Sequence, residues 1–283
     1  MDTNIGSEPT GRVHGLIESY NVDGIDVQVM GSGAQTLLML HGWPDSYRLW
    51  ENTVAGLQSD FRCVRFSLPG FDIDKPARAV SLAQMTTLIA AIVEHVSPGK
   101  AVTLLAHDWG CVFGYEFAAR HPEKVARMVA VDIGDHNTGN FIRSLTAKAK
   151  LQVAAYQLPL ALAWYIGQHL SGRMGDWLTR LIARGVRCPS PPAHIGWKQN
   201  YPYAMVWFGL AGGFKCAHKV KPSCPLLFIY GEKKPFMFHS PQWLTQLSST
   251  PGCKVQGFPT GHWVMLEQSK SFVDCIRAWL PSN

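Results

Sequence analysis

A buried strand that runs directly into a helix constrains this chain of 283 residues more than any other feature. Residues 101–106 are an almost continuous apolar run, and residues 109–120 carry apolar side chains at helical spacing. Only His107 and Asp108 lie between the two elements, so the chain must turn sharply there. The pattern predicts a strand–turn–helix elbow with Asp108 at the turn and Gly110 two places later.

Short β-rich runs and helical stretches alternate along most of the chain, as parallel βαβ construction requires. An opening hairpin is predicted over residues 15–30, with its turn at Asp23-Gly24. Further strands are predicted at 36–40, 61–67, 101–106, 125–131, 225–230 and 254–258, and helices at 46–57, 81–95 and 109–120. This alternation predicts an α/β fold built on a mostly parallel sheet.

The pattern changes after the strand at 125–131. Residues 135–221 are rich in Trp and Tyr and show helix-like runs, without a clear parallel strand. We therefore predict an α/β core formed by residues 1–134 and 222–283, interrupted by a helical lid at 135–221.

Two segments were weighed as targeting or membrane elements. Residues 1–12 are small and polar and lack an apolar core, so they are predicted to be a tail and not a secretory signal. Residues 151–172 contain no charge and approach the length of a membrane-spanning helix. Because Pro159 and several polar residues interrupt that stretch, we predict that it is a buried or interfacial part of the lid, with no transmembrane span.

The net charge of +6 is unevenly distributed. Residues 135–223 carry eleven Lys and Arg against Asp135 and Asp176, a net charge of +9, so the rest of the chain carries −3. No nucleic-acid motif accompanies this excess, so no nucleic-acid partner is expected. We interpret it as a basic solvated face, with an anionic membrane surface or an acidic substrate as the alternatives.

The seven cysteines are odd in number and scattered, and none form CxxC pairs. This argues against a disulfide framework and against a zinc site. We expect free buried thiols in a reducing compartment, namely the cytoplasm. No metal or organic cofactor is expected.

The residue at the elbow suggests a particular chemistry. Elbows of this kind usually carry a serine between two glycines, whereas here Ala106 takes the place of the first glycine and Asp108 that of the serine. A carboxylate needs no deprotonation at neutral pH and attacks carbon to form an ester, which an activated water can hydrolyse. The alternative is that Asp108 only caps the following helix. Its position on an elbow favours the nucleophile.

Three short motifs coincide around this elbow: HGWP at 41–44 after the first long buried strand, HDWG at 107–110, and GHW at 261–263 after the last strand. With the helical insertion, they resemble the α/β-hydrolase family of epoxide hydrolases, which has the haloalkane dehalogenases as relatives. The resemblance covers roughly residues 15 to 280. It implies an eight-stranded, mostly parallel sheet with helices on both faces and a helical lid.

The resemblance also assigns roles. It implies that Asp108 is the nucleophile and His262 the general base. The backbone N–H groups of Trp43 and Trp109 would form the oxyanion hole, which stabilises the tetrahedral intermediate of ester hydrolysis.

Two lid tyrosines that activate the epoxide oxygen are also implied. Tyr156 matches the sequence around the first of these tyrosines. For the second, Tyr203 is the preferred candidate and Tyr201 is the next. Another alignment would place Lys198 there instead. The chemistry needs a neutral hydroxyl because an alkoxide is a poor leaving group unless it is protonated or hydrogen-bonded. The alternative is that these tyrosines only pack the lid.

The third member of the triad departs from the family pattern. An acid is expected after the strand at 225–230, but Lys234 stands in its place, and a lysine cannot orient the histidine. Asp132, which follows the strand at 125–131, is the first choice, ahead of Asp135 and Glu232. The alternative is that Asp132 caps a strand end or anchors the lid.

The predicted reaction opens a small lipophilic epoxide with water to a vicinal diol. A haloalkane dehalogenase would use Asp108 in the same way, with the indole of Trp109 as a halide donor. A third possibility is a catalytically weak hydrolase fold that serves as a binding or regulatory module, for which the lysine at 234 is the best support. The oligomeric state is left open.

Overall fold

Eight strands form one sheet in the computed structural model, which describes residues 18–281. Their spatial order is β1-β2-β4-β3-β5-β6-β7-β8. The strands are β1 (Glu18–Val22), β2 (Ile25–Met30), β3 (Thr36–Leu40), β4 (Arg62–Phe66), β5 (Val102–His107), β6 (Val125–Val131), β7 (Leu226–Gly231) and β8 (Lys254–Phe258). Strand β2 runs antiparallel to β1 and β4, and the remaining pairs are parallel. The predicted tail at 1–12 lies outside the described residues.

Ten α-helices connect and cover these strands in the described part of the chain. They are α1 (Glu51–Leu57), α2 (Leu82–Val96), α3 (Trp109–Arg120), α4 (Gly139–Ser144), α5 (Ala147–His169), α6 (Gly172–Gly185), α7 (Tyr201–Phe208), α8 (Pro241–Ser249), α9 (Val264–Glu267) and α10 (Ser269–Trp279). Short 3₁₀ turns lie at Tyr47–Trp50, Pro122–Lys124, Pro192–His194, Trp197–Asn200 and Leu210–Gly212.

The central strands are buried on both faces, which explains their continuous apolar runs. All five residues of β3 are buried. Leu38 and Leu40 enter one core, which α2 and α3 help to form, whereas Leu37 and Met39 enter a second core with α1 and α10. Helices therefore cover both faces of the sheet, and the predicted α/β-hydrolase fold is confirmed.

One predicted helix is built differently from the expectation. The helix expected over 46–57 begins as the 3₁₀ turn Tyr47–Trp50 and continues as α1. The hydroxyl of Ser46 accepts the backbone N–H of Arg48, two residues later. A side-chain bond over so short a separation favours a tight turn over a regular first turn of an α-helix.

The segment for which the lid was predicted is described without a gap. Between β6 and β7 it contains α4 to α7 and no strand. The predicted boundaries at 134/135 and 221/222 fall in loops, and the division into core and lid stays a prediction. Most of the uncharged stretch at 151–172 belongs to α5, where Leu160 and Trp164 are buried.

Within residues 18–281, no helix combines the length and the apolar character needed to cross a bilayer.

The seven cysteines are free thiols. Only Cys63 and Cys111 are buried, Cys216 is exposed, and the other four are partly buried. The expectation of buried thiols was therefore wrong for most of them, because four of these five lie in loops and Cys275 lies on a partly exposed side of α10.

Candidate active site

The candidate residues lie together at the carboxyl edge of the sheet, where the parallel strands end. His107 of β5 is paired with Val131 of β6, and Val131 is paired with Ile229 of β7. Since the carboxyl ends of these strands are level, the residues that follow them meet at the same edge. Asp108, Asp132 and Lys234 come from these three strands, and His262 follows β8.

The backbone at Asp108 has the sharp turn that the sequence predicts. Its φ is 52°, which few residues other than glycine adopt. A side chain at Gly110 would place its Cβ 2.1 Å from the carbonyl oxygen of Leu40, so only glycine lets α3 start this close to β3. The Asp108 side chain makes no hydrogen bond that caps α3. It points instead toward Trp43 and His262.

The two oxygens of the Asp108 carboxylate have different surroundings. Oδ1 accepts the backbone N–H of Trp43 at 2.7 Å. Oδ2 lies 3.5 Å from Nε2 of His262. A Cβ at Gly42 would lie 2.3 Å from Oδ1, so a glycine is required for the approach. One oxygen is thus held by a backbone donor, and the other faces the imidazole.

The charge of Asp108 is stabilised despite its surroundings. Burial by itself would raise the pKa of Asp108, but the His262 imidazole and the backbone N–H of Trp109 lower it below the ordinary value. The carboxylate is therefore ionised at neutral pH, as a nucleophile requires.

The His262 imidazole is held between two carboxylates. Its Nδ1 contacts Oδ2 of Asp132, and its Nε2 faces Asp108. Burial alone would lower the pKa of His262, but Asp132 and Asp108 raise it to about 9. The backbone oxygen of His262 lies 3.1 Å from Nε2 of the buried His107, which supports the loop from beneath.

Asp132 is fully buried and accepts from three directions. Besides His262, it accepts the ammonium of Lys234 and the backbone N–H of Gly231, the latter at 3.1 Å. Burial would raise the pKa of Asp132, but the charges of Lys234 and His262 lower it well below the usual carboxyl range. Asp132 is thus an ionised, buried carboxylate in contact with Nδ1 of His262.

Lys234 does not leave the histidine without an acid. Its side chain is only 6% exposed and its ammonium pairs with Asp132. Asp108, His262, Asp132 and Lys234 therefore form a line of alternating charges. Since an unpaired buried charge is costly, the lysine balances the second of two buried carboxylates.

The other two acids considered for the triad lie elsewhere. Asp135 accepts the backbone N–H of Ser240 at 2.8 Å and the hydroxyls of Ser240 and Thr138. Glu232 is exposed and lies against Gly257 of β8. Among the three candidates, only Asp132 contacts His262.

Two of the predicted tyrosines lie over Asp108. The Tyr203 ring packs edge-on against Trp43 and Trp109, with ring centroids 5.6 and 5.3 Å apart. Tyr156 packs against Tyr203, and its hydroxyl accepts from the amide of Gln157 at 3.0 Å. Burial, and further the charge of Asp108 nearby, raise the pKa of both hydroxyls. Both are therefore neutral donors at pH 7.

Tyr201 and Lys198 point away from this group. Tyr201 packs on Phe71 and Trp164, and its buried hydroxyl has no hydrogen-bond partner in residues 18–281. Residues two apart on a helix face different directions, so α7 cannot aim both Tyr201 and Tyr203 at Asp108. Lys198 donates to the carbonyls of Ile73 and Lys75 at 2.8 and 2.6 Å. The structure brings neither residue to the site.

The sequence analysis missed two residues that join the predicted lid to the site. Asp45 is buried and accepts the hydroxyl of Ser190 at 2.5 Å and the indole of Trp263 at 3.0 Å. Burial raises the pKa of Asp45 to about 6. Asn200 accepts the indole N–H of Trp43 at 2.7 Å. Asp45 directly follows the HGWP motif and Asn200 directly precedes Tyr201, and these positions were the signal for both residues. Their hydrogen-bond partners are too distant in sequence to be predicted from those positions.

Comparison with known proteins agrees with this geometry. The family model of the alpha/beta hydrolase fold matches residues 35–157. The soluble epoxide hydrolase of Corynebacterium sp. is 30% identical over 158 residues, which are 55% of this chain and 50% of that protein. The probable oxidoreductase EphD of Mycobacterium bovis is 36% identical over 117 residues, 39% of this chain and 19% of that protein. The chain thus spans at most about half the length of these relatives.

A solved structure extends the likeness of the fold. An epoxide hydrolase from Bacillus megaterium superposes with a TM-score of 0.68 at 19% identity, over 93% of this chain and 99% of the other. The sheet order, the elbow and these matches agree on an α/β-hydrolase fold. The predicted resemblance to the epoxide hydrolases of that fold is confirmed.

Proposed function

We propose that this protein is an epoxide hydrolase that opens its substrate through an ester on Asp108. The observation that carries this proposal is the arrangement around Asp108. An ionised carboxylate faces an imidazole that is itself held by a buried acid, and two neutral tyrosine hydroxyls lie above. Relatives that are named epoxide hydrolases support the same reaction.

In the first step, Oδ2 of Asp108 attacks an epoxide carbon, and the bond from that carbon to the ring oxygen breaks. Oδ1 is the oxygen already bound by the backbone N–H of Trp43, so Oδ2 is the one free to form the new bond. The departing oxygen takes a proton from Tyr156 or Tyr203. The product is a hydroxyalkyl ester whose carbonyl oxygen already lies in the oxyanion hole.

Ester formation also prepares the base. The negative charge of Asp108 helps to raise the pKa of His262 to about 9, and the ester has no such charge. The pKa of His262 therefore falls, and its proton passes through solvent to the tyrosinate. Neutral His262 then takes a proton from water, and the hydroxide attacks the ester carbon.

The second step regenerates the enzyme. Negative charge on Oδ1 in the tetrahedral intermediate is stabilised by the N–H groups of Trp43 and Trp109, and one such donor contributes about 10²–10³ in rate. The intermediate collapses to the carboxylic acid of Asp108 as His262 gives its proton to the leaving diol oxygen. The acid then passes its remaining proton to His262, which restores the ionised carboxylate and the protonated imidazole. No step needs a group other than these side chains and water.

A single turnover in ¹⁸O-labelled water tests the proposal. With excess enzyme and styrene oxide, the first diol should carry only unlabelled oxygen, and mass spectrometry should find the label in the peptide that contains Asp108. This follows because water attacks the ester carbon and not the epoxide. Enzyme incubated without substrate is the control for exchange. Label in the first diol, or no diol across a panel of epoxides, would contradict the covalent mechanism.

The tyrosines provide a second prediction. Tyr156→Phe and Tyr203→Phe should each slow formation of the ester by about 10²-fold, since each removes a proton donor to the epoxide oxygen. Stopped-flow fluorescence and quenched-flow detection of the ester measure this step. Tyr201→Phe is the matched control, because it removes a buried hydroxyl without a described partner. Equal slowing by Tyr201→Phe would show that the tyrosines act only through packing.

Haloalkane dehalogenation is the second candidate, because it begins with the same attack by Asp108. It needs the Trp109 indole free to bind a halide, whereas the Tyr203 ring packs edge-on against that indole, with ring centroids 5.3 Å apart. Halide release from a panel of haloalkanes, with no diol from epoxides, would favour this alternative. The weak-hydrolase alternative rested on the lysine at 234, and the contact of Asp132 with His262 weighs against it.

A further inference from the structure

Helix α6 presents an apolar stripe to solvent. Met174, Trp177 and Leu181 are 57%, 66% and 49% exposed, and their spacing places them on one side of the helix. The opposite side carries the small buried residues Gly175, Thr179 and Ala183, which pack against the rest of the predicted lid. The stripe is therefore not the packing side of α6, because a different side of this helix packs against the rest of the predicted lid.

Arginines border this stripe. Arg173 and Arg184 lie on the same side of α6, and Arg187 follows the helix; all three are exposed. No carboxylate among residues 18–281 lies within ion-pair distance of these three arginines. Arg180 differs, because it donates to the carbonyl of Ile195 and pairs with Asp176. We name Met174, Trp177, Leu181, Arg173 and Arg184 the α6 face.

We propose that the α6 face binds the surface of a bilayer that contains anionic phospholipids. A helix with Trp and Leu on one side and arginines at their border matches the boundary between acyl chains and acidic headgroups. Fourteen residues extend about 21 Å, which is too short to span a hydrocarbon core, so the helix lies in the plane of the membrane.

The positive charge around the α6 face favours an anionic membrane over a second copy of this chain as its binding partner. Residues 135–223 carry a net charge of +9, with Asp135 and Asp176 as their only acids. Both acids are engaged, Asp135 with Ser240 and Asp176 with the backbone N–H of Trp197. A second copy of this chain would bring the same arginines face to face and repel. An anionic surface instead pairs with every free arginine of the face. This inference does not depend on the proposed chemistry of Asp108.

Sedimentation with vesicles tests the proposal. The full chain should bind vesicles of phosphatidylcholine and phosphatidylserine, should bind pure phosphatidylcholine vesicles at least about tenfold more weakly, and should be released by salt. Trp177→Ser and the double variant Arg173→Gln/Arg184→Gln should each weaken binding to anionic vesicles by about tenfold. Brominated acyl chains should quench part of the Trp emission of the wild type but not of Trp177→Phe.

Matched controls lie outside the predicted lid. Leu266→Ser changes another exposed apolar residue, and Lys100→Gln/Lys254→Gln removes two exposed charges. These variants should bind as the wild type does, and circular dichroism checks that every variant is folded. Three results would overturn the proposal: equal binding to neutral and anionic vesicles, unchanged binding by Trp177→Ser, or a dimer in sedimentation velocity that Trp177→Ser dissociates while no vesicles bind.

Discussion

Replacing Asp108 with Asn should abolish epoxide turnover, with a loss in kcat of about 10⁴-fold or more. An amide is a poor nucleophile, so no ester forms and the later step has no substrate. Asn is the suitable replacement because it tolerates the positive φ of 52° at this turn, which would strain Ala. Quenched-flow measurements with styrene oxide should show neither a covalent adduct nor diol.

The fold of Asp108→Asn must be checked independently, because an inactive protein could also be an unfolded one. Its thermal unfolding and circular dichroism should match those of the wild type, since the Trp43 N–H can still donate to the amide oxygen. An Asp108→Asn enzyme that retained more than a tenth of wild-type activity, with no deamidation by mass spectrometry, would remove Asp108 from the mechanism.

Asp132→Asn should stop the reaction at the ester. The alkylation step needs Asp108 and the tyrosines, whereas hydrolysis needs His262 held in position and able to carry a proton. Loss of the acid of a triad costs about 10⁴-fold in rate. Mass spectrometry should therefore find the ester on Asp108 within the first turnover and still find it long after the wild type has released diol. A variant that turns over normally would make Asp132 only a structural residue.

The same substitution should also destabilise the protein, by about 3 kcal/mol. It leaves the buried ammonium of Lys234 without a full counter-charge. The double variant Asp132→Asn/Lys234→Met removes that charge as well, so its free energy of unfolding in urea should return toward the wild-type value while the ester still accumulates. This pair separates the catalytic effect of Asp132 from its effect on stability.

Lys234→Met alone is the complementary control. Asp132 keeps His262 as a partner, so turnover should continue. Removing a positive charge from the cluster raises the pKa of His262, and hydrolysis needs the neutral imidazole. The pH at which ester hydrolysis reaches half its maximal rate should therefore move upward relative to the wild type. A shift to lower pH would show that Lys234 does not act on the His262–Asp132 pair.

Local patterns were sufficient for most of the sheet and for the elbow. Strands β3, β6 and β8 and helix α3 have the predicted bounds, because each is bordered by turn residues and has a clear apolar period. Asp108 was singled out because it stands between a buried strand and a helix with no room for a loop. These features depend on neighbours in sequence, and a single chain displays them directly.

Side-chain partners over long separations could not be predicted in the same way. Asp132 was preferred as the acid only among alternatives, and Lys234 was interpreted as a lost acid when it is the counter-charge of Asp132. Tyr203 was preferred to Tyr201 only through the resemblance, because both lie on α7 and only the rotation of that helix against α5 decides which one faces Trp43. Asp45 and Ser190 are 145 positions apart and meet only in the folded chain.

The sequence by itself thus determined the α/β architecture, the elbow and the identity of the residue at its tip, since apolar periodicity and a two-residue connection depend on local sterics. The tertiary structure alone decided which acid contacts His262, what Lys234 does, which tyrosine lies over Asp108 and which side of α6 stays uncovered. The physical reason is that charge pairing and burial depend on distances across strands and helices, which are set by the register of the sheet and the packing of the lid helices and not by neighbours along the chain.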